Sequence, residues 1–255
     1  MPVGDARDRE DGSAIWWIAA ATSVLPTLAT FGAHAISEHF GTIEPGTPIL
    51  DGSASISRSA RHEPAIHVFR ALLLPSAALM AVTWWLVHAW LRTLGTSRVA
   101  RRTVLVLGFA GALFLVLYAT YLGTDGAFYR LLRRYGVYVF FGGTGLAQLA
   151  LVVTLRRSRA ALLADRSALR RIRVMTGTVA LMLALGPLQI ALDALLDGDV
   201  GANVLEWWFA LLLMTHFGAL ADLWRIQGTE VRLAHRAVPL TPRAMGEAPD
   251  RRDST

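Results

Sequence analysis

The sequence predicts an all-α polytopic membrane protein, a bundle of six transmembrane helices with both termini in the cytoplasm. Three observations lead to this fold class. Hydrophobic residues make up 54% of the 255 residues, they gather in six long runs, and the charged residues collect between those runs. A helix rises about 1.5 Å per residue, so roughly 20 apolar residues cross the ~30 Å of hydrocarbon in a bilayer. Six such runs are rare in a soluble domain of this length.

The predicted elements follow one another simply along the chain. A cytoplasmic N-terminal tail at 1–13 precedes a transmembrane domain at 14–224, and a largely disordered cytoplasmic tail follows at 225–255. The last part of that tail carries prolines and charges with few large apolar side chains, a composition that does not support a folded core. We expect the six spans near 14–33, 66–91, 103–123, 136–155, 174–195 and 204–224.

Polar and turn-forming residues separate these spans. The first connection is long, and Gly41, Pro45 and Pro48 interrupt helical structure within it. Arginine-rich segments at 92–102 and 156–173 form the second and fourth connections. The third connection is short, and an acidic stretch joins the fifth span to the sixth. Because each long apolar run ends at such a segment, one helix is expected per run.

The arginine distribution predicts the orientation. All 25 basic residues are arginines; nineteen lie on the side of the two tails and six on the other side. Cytoplasmic loops carry the excess of positive charge in membrane proteins, which places both tails inside. An arginine-only composition suits a GC-rich genome. We therefore predict a multi-pass protein of the bacterial plasma membrane.

Composition also excludes several kinds of chemistry. The absence of cysteine excludes disulfides, thiolate metal sites and cysteine nucleophiles, and the absence of lysine excludes Schiff-base catalysis. The basic pI of about 10.6 is explained by topology and by anionic lipid headgroups, not by nucleic acid. The sequence thus predicts membrane lipids as partners, with no nucleic acid and no cofactor, and it leaves protein partners open.

The segment after the first span holds a cluster of polar side chains. His34 and His39 flank Ser37 and Glu38. The histidines are five apart, so they lie on different faces of a helix, unlike the i, i+4 pair of an HExxH motif. We therefore expect no metal site, with these histidines as weak candidates. Two interpretations of Ser37 and Glu38 stay open, local hydrogen bonds that end the helix or contacts to a lipid headgroup or a partner.

This segment resembles the Frag1/DRAM/Sfk1 family. The resemblance rests on Ile36-Ser37-Glu38, Gly41 and Glu44-Pro45 in the first connection and on Tyr118-Ala119-Thr120-Tyr121 at the end of the third span. It implies six spans, cytoplasmic termini and a lipid-linked role such as GPI-anchor remodelling, phosphoinositide and membrane homeostasis or autophagy-linked organelle function. Where the family usually has a histidine at the start of the fourth span, this chain has Arg133-Arg134-Tyr135-Gly136.

Ionisable and polar residues within the spans are costly and mark candidate sites. His216 lies near the middle of the sixth span, where a neighbouring helix is expected to satisfy its imidazole. Gln189 and Asp193 are i, i+4 neighbours on the fifth span and share one face. That face is expected to look into the bundle near its outer end.

Three arginines are exceptions to this charge distribution, because they lie close together on the side opposite the tails, which is otherwise acidic. Arg130, Arg133 and Arg134 fall on one helical face if the fourth helix starts early. Guanidinium groups bind phosphate bidentately. Our hypothesis is a pocket for a phosphorylated lipid headgroup; the alternative is pairing with the nearby acids. The candidate headgroup or pocket residues are Ser37, Glu38, Tyr118, Tyr121, Arg130, Arg133, Arg134, Gln189, Asp193 and His216.

Three functions fit these patterns. The leading one is a lipid-handling or membrane-homeostasis role without catalysis. The alternatives are an intramembrane lipid hydrolase or remodelling enzyme using outer-leaflet histidine, serine and acidic residues, and a small transporter. The sequence contains no GxSxG, HExxH or nucleotide-binding loop. The middle of the bundle offers little beyond His216 and Gln148 to line a transport path.

Overall fold

The computed structural model describes residues 12–158, 165–195 and 199–231, and for 192–195 it describes the backbone alone. The predicted N-terminal tail up to residue 11 and the tail from 232 onward lie outside the described residues. Contacts divide the chain into a unit at Ala14–Thr229 and a second unit at 1–13 and 230–255. The described part of the second unit contributes to a two-stranded sheet of β1 (Ser13–Ala14) and β2 (Glu230–Val231).

The larger unit holds eight helices among the residues that are described. Two are single turns in the first loop, and six are long and apolar enough to cross a membrane. The predicted all-α fold with six membrane spans is confirmed. The helices are α1 (Trp16–His39), α2 (Pro48–Asp51), α3 (Ile56–Ser59), α4 (Ala65–Thr93), α5 (Arg98–Tyr121), α6 (Ala127–Arg157), α7 (Arg166–Leu195) and α8 (Val200–Ile226).

The six long helices pack in chain order and close into a ring, with α8 returning to α1. The packing between α6 and α7 is the thinnest in this ring. We call the end of the bundle near Trp16 and Ile226 the proximal end and the opposite end the distal end. The distal end therefore holds the first loop, the start of α6 and the start of α8.

Helix α6 begins well before the apolar run that predicted it. Gly126, at φ 120°, precedes the helix, a backbone conformation that favours glycine. Its carbonyl accepts the first helical hydrogen bond, from the Arg130 N–H at 3.0 Å. The helix therefore continues through a polar, arginine-bearing turn before it enters the apolar part of the sequence.

Polar side chains join the helices inside the bundle. The hydroxyls of Thr22 and Thr83 lie 3.0 Å apart, Ser23 Oγ donates to the Met214 carbonyl at 2.7 Å, and Gln148 Nε2 donates to the Leu213 carbonyl at 3.0 Å. Hydrogen bonds of this kind hold helices together where water is absent. They link α4 to α1, and both α1 and α6 to α8.

The first loop, residues 40–64, is folded onto the distal end of α8. Three side chains of α8 donate hydrogen bonds to loop carbonyls: Asn203 Nδ2 to Gly52 at 2.9 Å, Trp207 Nε1 to Ala54 at 2.9 Å and Trp208 Nε1 to Ile49 at 3.0 Å. These bonds give the long connection a defined course above the helices.

Within the loop, one carboxylate closes a tight turn. Asp51 accepts hydrogen bonds from the backbone N–H of Ser53 at 2.9 Å and of Thr47 at 2.6 Å. The two backbone donors, Ser53 first, hold the pKa of Asp51 below its ordinary value of 3.8. The ionised side chain thereby fixes the turn that follows Pro48 at the start of α2.

Candidate functional site

Four arginines at the distal end surround one depression, and we call them the arginine cluster: Arg61, Arg130, Arg133 and Arg134. Three of them stand on the first turns of α6 at i, i+3 and i+4, as the sequence predicted for an early helix start. The fourth comes from the first loop. The depression has a volume of about 490 Å³ and is completed by Ser57, Ala127, Leu131 and Val137.

In the described part of the chain, no carboxylate lies within ion-pair distance of the arginine cluster. Arg134 instead lies against Tyr138, with its Nε 3.5 Å from the hydroxyl. The alternative of pairing with Glu38 or Glu206 is therefore not realised in this structure. The Asp193 side chain and residue Asp197 lie outside the described residues.

Two other arginines differ, because hydrogen bonds or an ion pair engage their guanidinium groups. At the distal end, Arg70 donates to the carbonyls of Ala119 at 3.1 Å, Thr120 at 3.0 Å and Leu122 at 2.6 Å. At the proximal end, Arg171 pairs with Asp222 at 2.8 Å. Unlike Arg70, the arginines of the cluster keep guanidinium donors available for an acceptor from outside.

A narrow apolar cavity of about 40 Å³ lies behind the cluster, between α1, α4, α5, α6 and α8. Tyr118 is buried in its wall, with its hydroxyl 3.0 Å from Ser57 Oγ. The remaining wall is mainly aromatic and aliphatic and includes Phe69, Phe141 and Trp207. Such a lining suits hydrocarbon better than a polar ligand.

A third space, a cleft of about 440 Å³, opens on the side of the bundle between α6, α7 and α8. Its exposed wall residues include Tyr138, Gly186 and Gln189. The three spaces share walls: Val137 borders all of them, Ser57 borders the depression and the cleft, and Glu206 borders the cavity and the cleft. The distal end therefore presents one continuous region, cationic at its rim and apolar inside.

Glu206 lines this region, although the sequence analysis did not include it among the pocket candidates. It appeared there as part of an acidic connection and among the acidic residues available to a hydrolase. The structure places it half-buried on α8, facing apolar walls. The backbone amide of Ile56 interacts with its carboxyl group. The signal that was available is its position, since it directly precedes Trp207 and Trp208 at the start of an apolar run.

The structure brings together Tyr118, Gln189 and the three α6 arginines, but it separates several other predicted residues from this region. Ser37 is buried, and its Oγ donates to the Ser59 carbonyl at 2.6 Å. Helix α1 continues past it to His39. Ser37 therefore anchors the first loop, and the interpretation that it ends the helix is not supported. Tyr121 stacks on Tyr129, with ring centroids 5.3 Å apart, away from the cavity.

The histidines have structural partners. His34 Nδ1 lies 3.1 Å from Ser59 Oγ and Nε2 lies 3.2 Å from the Gly46 carbonyl, while Glu38 stands 3.9 Å from the same ring. His39 is exposed on the α1 terminus. Among the described residues, no group of three or more histidine, cysteine or acidic side chains is arranged for a metal ion.

His216 lies apart from the distal region, fully buried in the middle of α8. Its Nδ1 is 3.1 Å from Thr178 Oγ1 on α7. The expected contact from a neighbouring helix is therefore present, and it joins α7 to α8.

Comparison with known proteins gives one match. The model of the Frag1/DRAM/Sfk1/Cwh43P N-terminal domain matches residues 12–225, which include all six spans up to the last residues of α8 and the whole distal region. Searches of curated proteins and of solved structures gave no match. The resemblance noted in the first loop is thereby confirmed. The chain belongs to the Frag1/DRAM/Sfk1/Cwh43P N-terminal domain family of membrane proteins.

Proposed function

We propose that the protein binds a phospholipid at the distal end of its bundle. The arginine cluster holds the phosphate, and the cleft between α6, α7 and α8 holds an acyl chain. The observation that carries this proposal is the shared wall between unpaired guanidinium groups and an apolar cleft. An amphiphile with an anionic phosphate matches both parts at once.

The arginine cluster has the chemistry that phosphate requires. Guanidinium groups donate paired, charge-assisted hydrogen bonds, and they are less strongly hydrated than an ammonium group, so they lose less on leaving water. Arg130 and Arg134 are exposed at the rim, whereas Arg133 is half-buried. The phosphate therefore lies at the rim, within reach of donors from both α6 and the first loop.

The cleft supplies the apolar part of the site. Each methylene group removed from water contributes about 0.8 kcal/mol, although a lipid already lies in hydrocarbon, so the cleft gives position more than affinity. The thin packing between α6 and α7 lets a chain enter from the side of the bundle. The ligand then never leaves the bilayer.

The proposal also places the distal end on the non-cytoplasmic face of a bacterial plasma membrane, as the arginine distribution predicts. The chain contains no cysteine, so single cysteine variants report orientation without background. Glu63→Cys is exposed in the distal loop and Arg98→Cys is exposed at the proximal end. We expect an impermeant maleimide to label the first variant in intact cells and the second only after lysis. The reverse pattern would place the site on the cytoplasmic face.

The binding proposal is tested by native mass spectrometry of protein purified in mild detergent. We expect wild type to retain intact phospholipid. The triple variant Arg130→Gln, Arg133→Gln, Arg134→Gln should retain less of it by a factor of about ten or more. Loss of roughly 1.4 kcal/mol already corresponds to tenfold, and one hydrogen bond to a charged group contributes about that much.

The matched control removes the same charge at the proximal end. Arg92, Arg98 and Arg102 are exposed there, and their triple glutamine variant should retain as much lipid as wild type. Equal lipid loss in both triple variants would mean that general electrostatics, and not this site, holds the lipid. Retention of cleaved lipid products only would favour the hydrolase alternative.

A further inference from the structure

We infer that Glu206 makes the site selective for phospholipids whose headgroup carries a primary ammonium, an ethanolamine ester being the simplest. This inference rests on the proposed function and adds the headgroup class. It begins from the position of the carboxyl group, at the junction of the apolar cavity and the lateral cleft.

Glu206 has no cation beside it. In the described part of the chain no arginine or histidine forms an ion pair with it, and the Ile56 backbone amide is the group that interacts with its carboxyl. A carboxylate among apolar side chains is costly unless a positive charge or further hydrogen bonds satisfy it. A bound ammonium supplies both.

The cluster and the carboxyl group both lie near one pair of hydroxyl groups, those of Tyr118 and Ser57. Tyr118, which contacts Ser57, is within electrostatic range of Glu206 and also of Arg133 and Arg61. Positive donors and a negative acceptor therefore both lie near the Tyr118 hydroxyl. A headgroup with phosphate and ammonium separated by two carbons carries both complementary charges in one small group.

The same geometry disfavours other headgroups. A glycerol headgroup brings the phosphate charge without a cation, so Glu206 stays unpaired near a second anion. A choline headgroup is cationic, but its quaternary nitrogen has no N–H to donate to the carboxylate. The Glu206 carboxyl group thus attracts ethanolamine headgroups and disfavours the binding of glycerol and choline headgroups.

The test uses the full-length protein in nanodiscs with equal amounts of ethanolamine, glycerol and choline phospholipids of identical acyl chains. Lipid that stays bound to the protein after the nanodisc is removed is then released and counted by mass spectrometry. We expect wild type to enrich the ethanolamine lipid over each of the others about tenfold, which corresponds to one charge-assisted contact. Glu206→Gln should bring that ratio close to unity. Glu206→Asp, which keeps the charge but shortens the side chain, should give an intermediate ratio.

Glu44→Gln is the control, because it removes one exposed charge from the distal loop and should leave the ratio unchanged. Wild type that retains phospholipid without headgroup preference would refute the inference while the proposed function stands. An unchanged ratio in Glu206→Gln would refute it as well. Wild type that retains no phospholipid would refute both.

Discussion

Replacing Trp207 by alanine is expected to destabilise the bundle by about 3–5 kcal/mol, the range for large aromatic residues in a packed core. Its side chain is 1% exposed. The ring packs on Phe31, with centroids 4.9 Å apart, and meets the edge of His34 at 5.7 Å. Its Nε1 also donates to the Ala54 carbonyl. The substitution removes the packing and the loop anchor together.

Trp208→Ala is the matched control. The neighbouring tryptophan makes the same kind of bond to a loop carbonyl, but it is 42% exposed. Thermal unfolding in detergent should show a much larger loss for Trp207→Ala. Trypsin should also cut that variant faster at Arg58 and Arg61, since both are exposed loop residues. Equal losses in the two variants would mean that the loop bonds, and not core packing, set the stability.

Gly136→Ala is expected to destabilise the contact between α5 and α6 by about 1–3 kcal/mol, the usual cost of overpacking. A Cβ at this position would lie 2.9 Å from the backbone nitrogen of Tyr118 and 3.1 Å from its Cα. Backbone atoms cannot move aside as a flexible side chain can, so the helices must separate. The shift would also carry Tyr118 away from Ser57, and lipid retention should fall with stability.

Gly142→Ala on the same helix gives the comparison. A Cβ there meets nothing within 4 Å, and alanine is the better helix former by up to about 1 kcal/mol. Its melting temperature should equal or exceed that of wild type. If both variants melt alike, the close approach of α5 and α6 at Gly136 has no energetic importance.

The sequence predicts those features of the fold that depend on one helix alone. Apolar length predicts the six spans because hydrocarbon satisfies no backbone group and forces a helix across its thickness. Helical spacing places Arg130, Arg133 and Arg134 on one face, and the structure shows all three lining one depression. Family resemblance in the first loop agrees with the matched domain.

The sequence does not predict contacts between residues that are far apart in the chain. Glu206 borders a cavity that residues of α5 and α6 also line, and no local sequence pattern predicts that packing. The polar appearance of Ser37 suggested a ligand or a helix end, whereas its hydroxyl holds a carbonyl more than twenty residues away. Gly41, Pro45 and Pro48 predicted turns in the first loop, but not the α8 side chains that hold the loop in place.

The hydrogen bonds of Arg70 bear on how the bundle can move. This residue of α4 donates hydrogen bonds to three carbonyls at the end of α5. We therefore expect the two helices to move together at the distal end. Movement of helices in the bundle is then expected mainly at α7, because its packing against α6 is the thinnest. Movement of α7 would admit or release a lipid, while α4 and α5 keep their relative positions.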